Sequence, residues 1–292
     1  MDVAKSKSIV IALLIAFNIF LLVNNLTFVR GQGVRKDTIQ NAEIILKQRG
    51  VTLESTIPAT PDGLRRLEYS YSKLDRQALA GILLGDSYVV TGQEAVNIQG
   101  VALVQEYEFE YGAKMLQFVN DTEFVFFDDE PSVGDQSVRK PDLSSDEKLK
   151  KAAQQFLEDA GLLDGKYFVD CLERNNDGSA TVAFIEEYEG LPVFDNYCFV
   201  TLNKDGVVKL EYGKVHVIGF TQESIERFDA YQALLSYFKM GSNLVITAID
   251  SGYKLEDSSM EGVELVEMLP VWRVKIKGSS EPEYLYPYDS KQ

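Results

Sequence analysis

One stretch, Ile9 to Val29, limits what this chain can become more than any other. It reads IVIALLIAFNIFLLVNNLTFV, carries no charge, and has Asn18, Asn24 and Asn25 as its strongly polar side chains. As a helix rising 1.5 Å per residue it reaches about 31 Å, roughly one hydrocarbon core. In lipid only a helix or a closed barrel satisfies its own backbone, and this run is too continuously apolar for a barrel strand. A transmembrane anchor over 9–29 is expected, after a cytoplasmic tail of residues 1–8. The rival reading is a cleaved signal peptide, which shares the basic start at Lys5 and Lys7. Signal peptides have an apolar region of about 7 to 15 residues and a small-x-small cleavage site. Here the run is longer and leads into Asn24-Asn25-Leu26-Thr27-Phe28-Val29-Arg30. Basic residues flank both ends, so the local count does not set orientation. With the anchor at the start and a long chain behind it, a single-pass cell-membrane protein is expected, its N-terminus inside and its bulk extracytoplasmic.

Asn18 lies near the middle of the span. An amide there has no water, so a neighbouring helix is expected to supply its partner, in a bond worth about 0.6 to 2 kcal/mol. Ala12 and Ala16 allow close approach. Asn18, Ala12 and Ala16 are therefore the expected partner-binding residues within the membrane. A single Asn in a long apolar helix is also tolerated at modest cost, and recognition then lies in the ectodomain.

The formal net charge of −16 repels phosphate backbones and anionic surfaces, which excludes nucleic acid as a partner. An apolar content of 45% supports a buried core. Two cysteines, Cys171 and Cys198, are too few for a disulfide scaffold. One bridge requires their strands to be neighbours; the alternative is two buried free thiols.

The expected fold class is α+β: antiparallel sheets with packed helices behind the anchor. Asp37 and Gly50 bracket a helix with Ala42, Ile45, Leu46 and Arg49 on one face. A strand over 67–71 follows, then a short helix from Arg76 to Leu84, capped by Asp75 and stopped by Gly85. Strands are expected over 88–90, 101–107, 114–119 and 123–127. The polar stretch DDEPSVGDQSVRKPDLS, Asp128 to Ser144, holds two prolines and no periodicity, so it is the expected boundary between domains over 30–135 and 140–292. Its acidic start, Asp128-Asp129-Glu130, reads as a solvated loop rather than metal ligands. Ser144-Ser145-Asp146-Glu147 reads as a capping box. The helix after it places Leu149, Ala152, Ala153, Phe156, Leu157 and Ala160 on one stripe. Four strands follow, over 166–174, 179–187, 193–203 and 207–218, with Asp-Gly turns joining the first pair and the last pair. A helix over 223–239 and strands over 244–249, 263–268, 270–276 and 284–286 complete the pattern. Trp272, Tyr284 and Tyr286 either line a groove or cover a core edge.

No GxSxG, P-loop, GxGxxG, HExxH or CxxC is present. Glu173-x-Asn175-x-Asp177-Gly178 partly copies a calcium loop, but its twelfth position is Phe184, without the bidentate carboxylate. The lone histidine, His216, sits within a strand run beside core positions and reads as structural. A non-enzyme with no cofactor and no metal is expected.

The opening Met1-Asp2, Lys5, Lys7 and Asn18-Ile19-Phe20-Leu21-Leu22 resembles the start of the YycI (WalI) family. So do AEIILKQRG (Ala42 to Gly50), FDAYQALL (Phe228 to Leu235) and PVWRV (Pro270 to Val274). The resemblance implies a non-catalytic accessory regulator of the WalK sensor histidine kinase of Gram-positive bacteria, working with a YycH-like partner through membrane-helix and ectodomain contacts. Glu189-Gly190-Leu191-Pro192-Val193-Phe194 with Asp205-Gly206-Val207-Val208 also resembles PepSY modules, making the C-terminal part PepSY-like. That second resemblance implies an extracytoplasmic module that inhibits or chaperones a peptidase, or binds a cell-envelope ligand.

Overall fold

The computed structural model describes residues 14, 17, 18, 36–98, 101–131, 141–226, 228–256 and 267–287. The expected anchor over 9–29 lies outside them except at Leu14, Phe17 and Asn18. In chain order come α1 (Lys36–Gln48), β1 (Val51–Leu53), β2 (Arg65–Ser70) and α2 (Arg76–Leu84). A first meander follows: β3 (Val89–Ile98), β4 (Val101–Tyr111), β5 (Lys114–Phe118) and β6 (Glu123–Asp128). After α3 (Asp146–Asp159) comes a second meander: β7 (Tyr167–Arg174), β8 (Ala180–Tyr188), β9 (Leu191–Leu202) and β10 (Val207–Gly213). The chain ends with β11 (His216–Ser224), α4 (Ala230–Tyr237), β12 (Leu244–Lys254), β13 (Glu267–Ile276) and β14 (Glu283–Leu285). The class is mixed α+β, with β1 and β9 each parallel to β12 and antiparallel ladders through both meanders.

Contacts gather the chain into two units, each discontinuous in sequence. The smaller takes residues up to Asp62, Arg227–Asp250 and Arg273–Leu285. In it α1 packs on β1 and α4, burying Ala42 and Leu46, and α4 packs on β14. The Arg49 guanidinium donates to the carbonyl oxygens of Leu235 and, at 2.8 Å, Phe238, so it caps the end of α4.

The larger unit holds Gly63–Glu226, Ser251–Trp272 and the residues from Tyr286. In it β6 pairs antiparallel with β10, from Glu123↔Gly213 to Phe127↔Lys209, which joins the two meanders edge to edge. Leu79 and Leu83 of α2, Phe109, Leu116 and Phe124 of the first meander, Leu149 and Leu157 of α3, and Val182, Val200 and Leu210 of the second share one buried core. The two meanders thus lie in one sheet and in this one unit, and most of the polar stretch at the expected boundary, 132–140, lies outside the described residues. Asp128 itself is buried, and burial raises its carboxyl above the usual carboxylate range.

Local chemistry explains the elements that match their sequence. Asp75 accepts from the Ala78 amide at 3.0 Å and caps α2, and the Gly85 amide closes its end on the Gly81 carbonyl. Between β8 and β9 the two-residue turn Glu189-Gly190 has positive φ at both positions, 48° and 87°, the twist that tight hairpins favour.

Several expectations are corrected. β3 runs to Ile98, not Val90, because β4 pairs with it all the way out. The expected capping box of α3 does not form: Ser144 donates its amide and hydroxyl to Asp142, and Ser145 stands at the cap without a side-chain bond. The expected strand over 207–218 is two strands: Gly213 closes β10 under the Tyr197 ring, where a Cβ would come within 2.5 Å, and β11 leaves to pair with β2. His216 opens β11 and is exposed rather than set among core positions. The expected helix over 223–239 begins only at Ala230, since Ser224 still pairs with Arg65 and Asp229 stands at the helix start, its amide donating to the Gln232 side chain at 3.2 Å. The buried residues of α4 are Ala230, Ala233 and Leu234, with Phe238 just beyond. Trp272 is buried, on the core side of the two alternatives. Cys171 and Cys198 form no disulfide; they lie opposite Ala183 and Phe184 on either side of β8, so their strands are not neighbours.

Candidate interaction surfaces

Of the expected membrane site, Asn18 is among the described residues, while Ala12 and Ala16 lie outside them. Leu14, Phe17 and Asn18 are helical, and Leu14 and Phe17 are exposed. The Asn18 side-chain amide donates to the Leu14 carbonyl one turn back, at 3.0 Å. A side-chain amide carries two donors and an acceptor, so this bond uses one donor. Among the described residues no helix is long and apolar enough to cross a membrane.

The smaller unit presents apolar side chains to solvent near the α1–α4 junction. Ile44 and Ile45 of α1 are 55% and 38% exposed, although the sequence pattern placed Ile45 on the buried face. Met240, 78% exposed, precedes Gly241, whose amide donates to the Arg49 carbonyl at 3.1 Å. Tyr237 donates to Glu283 at 2.7 Å, and that bond pushes its phenol up to about 12.

The larger unit holds a polar knot at the end of the second meander. Asn196 on β9 is fully buried. Its amide donates to Glu186 Oε2 at 2.6 Å and to the Val215 carbonyl at 2.9 Å, and its Oδ1 accepts from the Val215 amide at 2.8 Å. Lys214 bonds Asp164, stands 3.9 Å from Glu186 Oε2, and lies 5.7 Å from the centroid of the Tyr167 ring. The knot clamps the residues where the chain turns from β10 into β11.

Its chemistry is structural. Burial pushes the Cys198 thiol well above its usual range, so it stays protonated, and it is the thiolate that would attack or ligate. Tyr167 and Tyr212 are also pushed up, first by burial and next by Cys198 for both phenols. Among the described residues no group of three or more His, Cys, Asp or Glu side chains is placed to hold a metal. Asn196 was missed by motif reading, yet a signal exists: alternation along β9 puts it on the buried face with Phe194, Cys198, Val200 and Leu202. One amide in an apolar row requires partners.

The family model described as YycI protein matches residues 31–286, nearly all of the chain beyond the expected anchor. Among solved structures, an uncharacterized protein from Eubacterium rectale ATCC 33656 is similar at 12% identity and a TM-score of 0.45, over 81% of this chain and 86% of that one. YycH from Bacillus subtilis is similar at 14% identity and a TM-score of 0.48, over 81% of this chain and 55% of that one. No curated protein matches the chain.

Proposed function

The chain belongs to the YycI family, and from that premise we propose that it is a membrane-anchored, non-catalytic regulator of a WalK-like sensor histidine kinase. It acts with a YycH-like partner, through its membrane helix and its extracytoplasmic body. The match over residues 31–286 carries this reading. The buried, protonated Cys198 and the exposed Ile44 and Met240 agree with a part that binds rather than reacts.

Co-purification of the full chain in mild detergent from native membranes tests the proposal. A sensor histidine kinase should come down with it. A secreted peptidase recovered in place of a kinase would overturn the reading in favour of a PepSY-type module. Asn18→Leu should lower kinase recovery by about threefold to thirtyfold, the equivalent of a 0.6 to 2 kcal/mol interhelical bond. The bond to Leu14 places the expectation toward the lower end. Recovery equal to wild type would move recognition from the helix to the extracytoplasmic body.

Topology has its own check. Protease added to intact protoplasts should digest the part beyond residue 30. If that part survives until lysis, the proposed orientation is wrong.

A further inference from the structure

We infer, resting on the proposed anchoring, that the smaller unit lies against an anionic lipid surface through Ile44, Ile45 and Met240. Ala42 and Leu46 mark the packed side of α1, so Ile44, midway between them, points the opposite way and is exposed. Ile45 stands beside it, also exposed. Gly241 and Ser242 both donate their amides to the Arg49 carbonyl, at 3.1 and 3.2 Å. Those bonds set Lys239 and Met240 next to the end of the same helix. Large apolar side chains thus meet water around one junction, and covering them would release that water.

Charge selects the occupant. From residue 30 on, the smaller unit holds ten basic residues against eight acidic ones, and the larger seventeen against thirty-six. The acidity behind the net charge of −16 therefore resides in the larger unit. Lys36 and Lys47, about three turns apart, flank Ile44 on α1, and Lys239 precedes Met240. All three lysines are exposed. Against them α1 sets two acids, Asp37 and Glu43. The charged residues between the expected anchor and α1 are Arg30 and Arg35. An anionic bilayer attracts an apolar centre with a basic rim, each lysine or arginine adding to the pull. A second copy of the same face would set lysine against lysine.

Tether length favours the same occupant. Six residues, 30–35, join the expected end of the anchor to Lys36. Fully extended they reach about 20 Å, and α1 itself is about 20 Å long. Contact with the bilayer is therefore intramolecular, and a weak affinity suffices to hold it. A soluble partner has no such advantage.

The test places a photo-crosslinking amino acid at Ile44 of the full chain, reconstituted in vesicles of phosphatidylglycerol and phosphatidylcholine. The expected adduct is with phospholipid, identified by mass spectrometry. Its yield should fall about tenfold in vesicles of phosphatidylcholine alone. Lys47→Gln combined with Lys239→Gln should lower it by a similar factor, and both side chains are exposed, so the fold is kept. The same label at Val119, exposed on the acidic larger unit, should give no lipid adduct. In native membranes the lipid adduct should persist; a polypeptide adduct in its place assigns the face to a protein and overturns the inference. Alkaline washing reads the anchor separately. A chain stripped from the vesicles overturns the anchoring and this inference with it, whereas a chain retained without a lipid adduct at Ile44 overturns the inference alone. An adduct of two copies, equal labelling at Val119, or a yield indifferent to lipid charge or to the two lysines would also overturn it.

Discussion

Asn196→Ala should lower the stability of the fold by about 3–5 kcal/mol, since each buried polar group left without its partner costs about 1–3 kcal/mol. The substitution strands three groups at once: the Val215 amide, the Val215 carbonyl and one oxygen of Glu186, which the Asn196 side chain meets at 2.8, 2.9 and 2.6 Å. Water cannot easily replace the lost side chain, because both Asn196 and Val215 are buried. Total stabilities run from about 5 to 15 kcal/mol, so this loss is a large fraction of the whole. Asn196→Asp should be no better, since it faces the Glu186 carboxylate. Denaturant unfolding of the full chain in detergent checks the value. A loss below about 1 kcal/mol would show that the clamp contributes no more than one ordinary hydrogen bond.

Raising the pH should unfold the protein cooperatively between about 10 and 12. Burial is the main cause that holds the phenols of Tyr167, Tyr197, Tyr212 and Tyr69 above their ordinary range, and it pushes Tyr253 up to about 12. A group whose pKa is raised in the folded state binds its proton more tightly there than in the unfolded chain. Its contribution is complete below the unfolded value near 10 and is lost as the pH rises through the folded one. Tyr167 and Tyr212, whose phenols are pushed up furthest, alone lose about 3 kcal/mol for each pH unit above 10. The circular dichroism signal should therefore be lost in one cooperative transition over that range. A spectrum unchanged at pH 12 would sink the expectation.

How much was legible follows the range of the forces. Asp75 and Gly85 bounded α2 correctly, because a cap is an interaction between residues three or four apart. The Asp-Gly turns after Asn175 and Asn203 joined their hairpins as the sequence predicts, with Asn175 donating its amide to the Ser179 carbonyl at 2.9 Å and Asn203 to Gly206 at 2.8 Å. The α3 stripe of Leu149, Ala153 and Leu157 is buried for the same local reason. Ser144 failed as a cap because a nearer acceptor, Asp142, took its amide and hydroxyl.

The candidate sites divide in the same way. Asn18 was visible as a polar side chain in an apolar run, and its bond to Leu14 lies within a single helical turn. Asn196 acquires its role only when β8, β9 and the residues after β10 are assembled, since Glu186 is 10 residues away in sequence and Val215 19.

By itself, then, the sequence determined the local elements, the hairpins between adjacent strands and the family, all matters of neighbouring residues or direct pattern. The tertiary structure alone decided that β6 lies beside β10, that β1 and β9 pair in parallel with β12, and that the chain breaks after Gly213 to send β11 to β2. An alternating strand carries the same pattern whichever partner it meets. The choice among partners rests on burial and backbone pairing summed over the whole sheet, a quantity that no short window of sequence contains.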